Sequence, residues 1–165
     1  MKINDLKNLR SLSIPYAKLK LEEDAEGNLK VFDPIRKKLL MLTPEEFVRQ
    51  NFVRWISEAY GYPNSLIANE VEIQFNGMKR RCDSVIYDRQ CNPLIIVEYK
   101  APDVVITQNT FDQIVRYNME LRAKYLIISN GVNHYCCKID YIRNTYNFIP
   151  VIPRFEEAIG TPGIN

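Results

Sequence analysis

Apolar residues recur at helical spacing from residue 43 to 60, where Val48, Phe52, Trp55, Ile56 and Ala59 share one face. Punctuation agrees with a helix there. Thr43 suits the N-cap, Pro44 the first helical position, and Glu46 the acidic place of a capping box. Gly61 and Pro63 end it. The pattern then shifts to strands, at about 67 to 75, 79 to 88 and 93 to 99. Asn76-Gly77 marks a tight hairpin between the first two, and the turn Asp88-Arg89-Gln90-Cys91-Asn92-Pro93 joins the second to the third. A helix over about 108 to 122 follows, with Phe111, Ile114, Val115 and Leu121 as its apolar face. Next come the strand YLIISN, the turn Asn130-Gly131 and the strand HYCCKID. Residues 1 to 42 read as an irregular arm of short strands, with a hairpin at Glu26-Gly27-Asn28.

The order α-β-β-β-α-β-β predicts an α/β fold, a central mixed β-sheet flanked by helices. The strands on either side of the second helix are expected to be parallel, joined by a right-handed crossover. One domain is expected, with an arm (1–42), a core (43–150) and a docked C-terminal tail (151–165) that frays at its end.

Composition narrows the class. The chain has 165 residues, 46% hydrophobic and 25% charged, which suits one soluble globular domain and excludes a disordered chain. A net charge of +2 permits a nucleic-acid partner without requiring one. No apolar run approaches the roughly 20 residues needed to span a bilayer. The N-terminus has charges but no apolar stretch after them, so a secretory signal is not expected. Cys82, Cys91, Cys136 and Cys137 form no CxxC pair and read as reduced thiols, which predicts a cytoplasmic protein. Zinc held by His134, Cys136 and Cys137 is disfavoured because the spacing matches no familiar site.

The candidate chemistry lies in LIIVEYKAP, an apolar strand that ends by placing Glu98 and Lys100 on one face. If Tyr87 and Leu94 close the preceding turn, opposed residues have numbers summing to 181, and Asp83 lies across from Glu98. Two opposed carboxylates raise one another's pKa unless a cation lies between them. Lys100 is one candidate cation. A divalent one, Mg²⁺ with Mn²⁺ as substitute, is the other, since hard carboxylate oxygens suit such ions. A surface salt bridge is the bland alternative. Two basic runs, Arg36-Lys37-Lys38 and Lys79-Arg80-Arg81, are ordinarily solvated surface; one beside Asp83 would hold phosphates.

Asp83, then Glu98-Tyr99-Lys100 on the adjacent strand, resembles the PD-(D/E)xK nuclease signature. With TPEEFVRQNFVRWI, CDSVIYD, PLIIVEYKAP, FDQIVRYN and YLIISNGVNHYC, it resembles the N-terminal nuclease domain of type I restriction enzyme R subunits and standalone relatives, over about residues 33 to 140. The resemblance implies a restriction-endonuclease-like core, with Asp83 and Glu98 as metal ligands and Lys100 as the catalytic lysine. It also matches Glu46 to the family's first-helix glutamate, and Gln113 with Tyr117 to its QxxxY pair. Glu70 is a rival for the accessory acid. Cys82 stands where relatives keep a proline, a change of little chemical consequence.

Read from the residues alone, Glu46 serves equally well as a capping partner, and Tyr117 as a residue at the rim of the core. The expected function is metal-dependent endonucleolytic hydrolysis of DNA. Water attacks the phosphorus beside a metal held by Asp83 and Glu98, and Lys100 supports that water and the transition state. The alternative is a catalytically inactive nuclease-fold module that binds nucleic acid or a restriction partner. No GxxxxGK[ST] stretch occurs, so no ATP-driven motor is expected in the chain. It is expected to act alone, as an oligomer, or beside other restriction subunits or a separate motor protein.

Overall fold

The computed structural model describes residues 1–75, 78–118 and 121–160. Helix α1 (Ile3–Asn8) precedes a three-stranded antiparallel sheet of β1 (Leu21–Glu23), β2 (Leu29–Asp33) and β3 (Lys38–Met41). Helix α2 (Pro44–Tyr60) and a 3₁₀ turn (Asn64–Leu66) lead into β4 (Ile67–Phe75), β5 (Met78–Tyr87) and β6 (Pro93–Tyr99). Then come α3 (Gln108–Asn118), β7 (Tyr125–Ser129), β8 (His134–Asp140), β9 (Thr145–Ile149) and α4 (Phe155–Ile159). The main sheet runs β4-β5-β6-β7-β8-β9 and is antiparallel except between β6 and β7, the two strands that α3 connects.

Three hairpin turns share one chemistry. Asp24, Asp88 and Asp140 each open a turn by accepting backbone N–H groups two to four residues on. Each turn also holds a residue in the left-handed region, namely Gly27 (φ 79°), Cys91 (φ 63°) and Asn144 (φ 55°). The Asn76-Gly77 hairpin turn lies outside the described residues, but β4 and β5 pair up to Phe75 opposite Met78 on either side of it.

Both faces of the main sheet are covered. Under α2, Ile95, Val97 and Tyr99 pack with Phe52 and Ile56; on the other face Val85, Ile96, Leu126 and Ile128 pack with Phe111, Ile114 and Val115. Double coverage explains why β6 and β7 read as near-continuous apolar runs. The core under α2 also takes Leu12 and Ile14 from the arm and Phe155 and Ala158 from the tail.

Several expectations need correction. The arm contains helix α1, the end of the expected core carries a further strand, β9, and the tail contains helix α4. Strand β9 is a half-exposed sheet edge, so its alternation of burial is too weak to read. Helix α3 does not reach 122, because Arg122 takes a left-handed turn (φ 51°). On α2, Ala59 is exposed and Trp55 half-buried, whereas Arg49, Gln50 and Asn51 are buried. The N-terminal half of that helix lies against both the arm and the main sheet, which no single apolar stripe reveals.

Gly131 (φ 79°) marks where the arm crosses the β7–β8 turn: its carbonyl accepts from the Ser13 N–H at 2.9 Å, and an added Cβ would lie 2.6 Å from Leu12 Cδ2. Gly131→Ala is expected to cost on the order of 2 kcal/mol in urea unfolding, part from the backbone and part from the clash. In a Leu12→Ala background the overlap with Leu12 is gone, leaving the milder 3.3 Å approach to Val48 Cγ2, and the cost should fall by about half. An equal cost in both backgrounds would show that the close approach is unimportant.

Candidate metal and phosphodiester site

The site begins where a ladder stops. Strands β5 and β6 pair from Tyr87 opposite Pro93, through a bulge, to Ser84 opposite Val97, and no further. The bulge shifts the turn end, so Tyr87 does not face Leu94 as the simple hairpin required. Beyond it, Ile86–Ile95, Val85–Ile96 and Ser84–Val97 all sum to 181, as expected. Past Ser84 the strands part, and the Asp83 carboxylate accepts the Tyr99 N–H at 2.8 Å in place of a backbone partner. Strand β6 stays paired with β7 through Glu98 and Tyr99. Asp83 also drops out of the β4 ladder, where Asn69 faces Ser84 and Val71 faces Cys82. Between them Glu70 takes a left-handed backbone (φ 58°), a conformation rare for a residue with a side chain.

The parting opens a cleft of about 260 Å³ lined by Glu46, Arg49, Glu70, Asp83, Glu98 and Lys100, with Thr43, Glu45 and Tyr99. Four acids named from the sequence therefore meet, with the expected lysine. Burial pushes the Glu98 carboxyl up to about 8; repulsion from Asp83 and a hydrogen bond with it add to the effect, and Lys100 opposes it. Lys100 makes no ion pair among the described residues. Glu70 pairs with the exposed Arg81 at 2.6 Å, so one residue of the Lys79–Arg81 run touches a cleft acid without lining the cleft itself. Lys79 pairs with Glu72, and Arg36, Lys37 and Lys38 line none of the cavities described.

Glu46 is not a capping-box partner. Thr43 does cap α2, accepting the Glu46 N–H at 3.1 Å, but the Glu46 carboxylate turns inward to Arg49 and to Gln50 Nε2 (2.7 Å). Arg49, unremarked in the sequence, is 3% exposed and also lies 3.8 Å from the buried Asp33 carboxylate. Its signal was present: an arginine one turn after a glutamate, between Val48 and Phe52 on a helix face that must be buried. Asp33 in turn accepts from Asn69, Asn69 from the Ser84 hydroxyl, and Ser84 from the Tyr99 hydroxyl. A polar chain thus runs beneath the cleft. Gln113 and Tyr117 have their backbone on α3, and their side chains lie outside the described residues.

Among the described residues no group of three or more His, Cys, Asp or Glu side chains is arranged to hold a metal ion. His134, Cys136 and Cys137 are not brought together as one ligand set. Cys136 and Cys137 are buried in the cores on opposite faces of the sheet, and His134 packs against Trp55 and Phe52 with hydrogen bonds to Ser13 and Ser129. Among the described residues no helix is long and apolar enough to cross a membrane.

Glu98 supplies a pH test on metal-free protein. Its folded pKa exceeds its unfolded value, so its contribution to stability is full below about pH 4.5 and is lost as pH rises towards about 8. Unfolding free energy should fall across that window with a slope of at most about 1.4 kcal/mol per pH unit. Glu98→Gln should flatten the slope by that amount. An unchanged slope in denaturant titrations at several pH values would refute the assignment.

Comparison with known proteins agrees with this architecture. A structure assigned as a fragment of the HsdR subunit of a type I restriction enzyme from Vibrio vulnificus YJ016 matches with a TM-score of 0.51 and 21% sequence identity. The match covers 72% of this chain and 25% of that one, so the chain spans about a quarter of that relative's length, and the likeness is one of fold. No curated protein matches. The family model described as type I restriction enzyme R protein N terminus (HSDR_N) matches residues 44–153, about two thirds of the chain, and the chain belongs to that family.

Proposed function

We propose that this domain is a Mg²⁺-dependent endonuclease of the PD-(D/E)xK type, acting on DNA within a restriction system. The observation that carries the reading is the parting of β5 and β6, which leaves Asp83, Glu98 and Lys100 around one cleft. The donor set fits Mg²⁺, which takes one or two carboxylates and keeps several waters. Asp83 and Glu98 would hold the ion, whose charge would favour the ionised form of Glu98 that burial, and after it repulsion from Asp83, disfavours. Bound there, it would supply Lewis-acid polarisation of a phosphate oxygen.

The protein's own groups do the rest. Lys100, ion-paired with none of the described acids, donates to the attacking water or to a phosphoryl oxygen as charge builds there. The N–H of Tyr99 fixes the orientation of Asp83, and Tyr99 itself is anchored in the core against Phe52 at 5.7 Å. Glu46 is held by Arg49 and Gln50, which makes it a supporting acid; Glu70 opens towards the cleft from its strained backbone. Family membership supports the restriction setting, in which other subunits or a separate motor would act on the same DNA.

Asp83→Ala and Lys100→Ala should each lower Mg²⁺-dependent cleavage of supercoiled or linear DNA by at least about 100-fold, the scale seen when a transition-state donor is removed. Calorimetry should show Mn²⁺ binding that disappears in Asp83→Ala. The mutual hydrogen bond of Asp83 and Glu98 favours a second reading, a closed site in a binding module. Nucleic-acid binding by the wild type, with no turnover on any DNA or RNA in Mg²⁺ or Mn²⁺, would select it.

A further inference from the structure

Arg49 walls two cavities. One is the carboxylate cleft; the other is a hollow of about 510 Å³ between the extended segment 16–20, β2 and the outer side of α2. Its volume falls in the range of roughly 300–1,000 Å³ usual for ligand sites. Phe32 and Val53 give it apolar walls, and the buried Asp33 and Arg49 give it a polar floor. Arg49 Nη1 is buried and has no hydrogen-bond partner among the described residues, although Nη2 is held by Glu46 and lies 3.8 Å from the Asp33 carboxylate. Buried donors are nearly always satisfied, so one left over at the wall of a cavity points to an acceptor that arrives with a ligand.

The rim has the matching charge. Lys18 and Lys20 stand two apart in extended chain, so they project to the same side, and both are exposed. Neither makes an ion pair among the described residues, whereas Arg54 on the same rim is tied to Glu58. Lys20 Nζ lies 5.8 Å from the Phe32 ring centroid, so cation and aromatic surface adjoin. Uncommitted lysines beside an aromatic ring suit a phosphate with its base, the combination by which proteins hold single strands.

We propose that this hollow is a strand-binding subsite. It takes the nucleotide next to the phosphate in the carboxylate cleft, with Lys18 and Lys20 on the backbone and Arg49 shared across the common wall. The inference rests on the endonuclease reading for what occupies the cleft, but binding in the hollow needs no metal.

The test is fluorescence anisotropy of a labelled single-stranded oligonucleotide titrated with the full chain in EDTA, over a range of salt. Lys18→Ala/Lys20→Ala should weaken binding about tenfold at low salt. It should also make the log-affinity against log-salt slope shallower by about 1.4, roughly 0.7 for each single-strand phosphate no longer neutralised. Lys2→Ala/Lys138→Ala, which removes two lysines that line neither cavity, should change neither quantity.

Unchanged affinity and slope in the Lys18/Lys20 variant would overturn the subsite, and so would an equal loss in the control pair. Full displacement of the oligonucleotide by a free deoxynucleoside monophosphate would overturn it too, making the hollow a nucleotide pocket. The two readings fail separately. If the wild type cleaves nothing yet the binding pattern holds, the subsite stands and catalysis falls. If Asp83→Ala abolishes cleavage while the lysine pair affects neither binding nor KM, the nuclease stands and the subsite falls.

Discussion

The site depends on one substitution of partners, the Asp83 carboxylate taking the Tyr99 N–H that a continuing β5–β6 ladder would have used. A strand that leaves its neighbour exposes backbone donors, which are costly if buried and unmet. Here a side chain meets the donor, so the sheet can open without a penalty. The same bond orients Asp83 towards Glu98. Fold and chemistry thus share a single hydrogen bond, made just beyond the last rung, where the strands part.

Beneath the cleft runs a second constraint, the buried chain from Glu46 through Arg49 to Asp33, then through Asn69 and Ser84 to Tyr99. Buried ions are poor contributors to net stability, because desolvation offsets their attraction. What such a chain does provide is position. It ties the first sheet, through Asp33, to the helix that presents Glu46 and to the strand that presents Glu98. Removing Asp33, Glu46 or Arg49 would leave a charge short of a partner in the interior, so the arm and the main sheet hold their relative places as a unit. This accounts for polar residues filling the inward face of a helix whose apolar spacing is otherwise ordinary.

Electrostatics give the cleft its direction. Asp83, Glu98 and Glu70 converge there, and burial, with repulsion from Asp83 added, raises the Glu98 pKa. Lys100 supplies a positive charge without closing a salt bridge to any described residue. Those acids are held by one another, by Arg81 and by the Tyr99 N–H, and not by Lys100. That arrangement distinguishes the cleft from the exposed pairs such as Arg54–Glu58, which are complete in themselves.

The sequence by itself determined the elements whose signals are local. Thr43 and Pro44 start α2, Asn76-Gly77 falls between β4 and β5, and short apolar runs bounded by turn residues mark β6 and β7. Parity along β5 and β6 in the 181 register put Asp83, Glu98 and Lys100 on one side, and the ladder from Ile86 to Ser84 keeps that register. Tertiary structure alone decided the rest. That Glu46 turns inward instead of capping its helix depends on Arg49, whose burial in turn depends on Asp33, in the arm and on another sheet. The left-handed backbone of Glu70 and the end of the β5–β6 ladder arise from strands competing for partners. Such competition is settled by contacts distant in the chain, and no spacing within one segment records it.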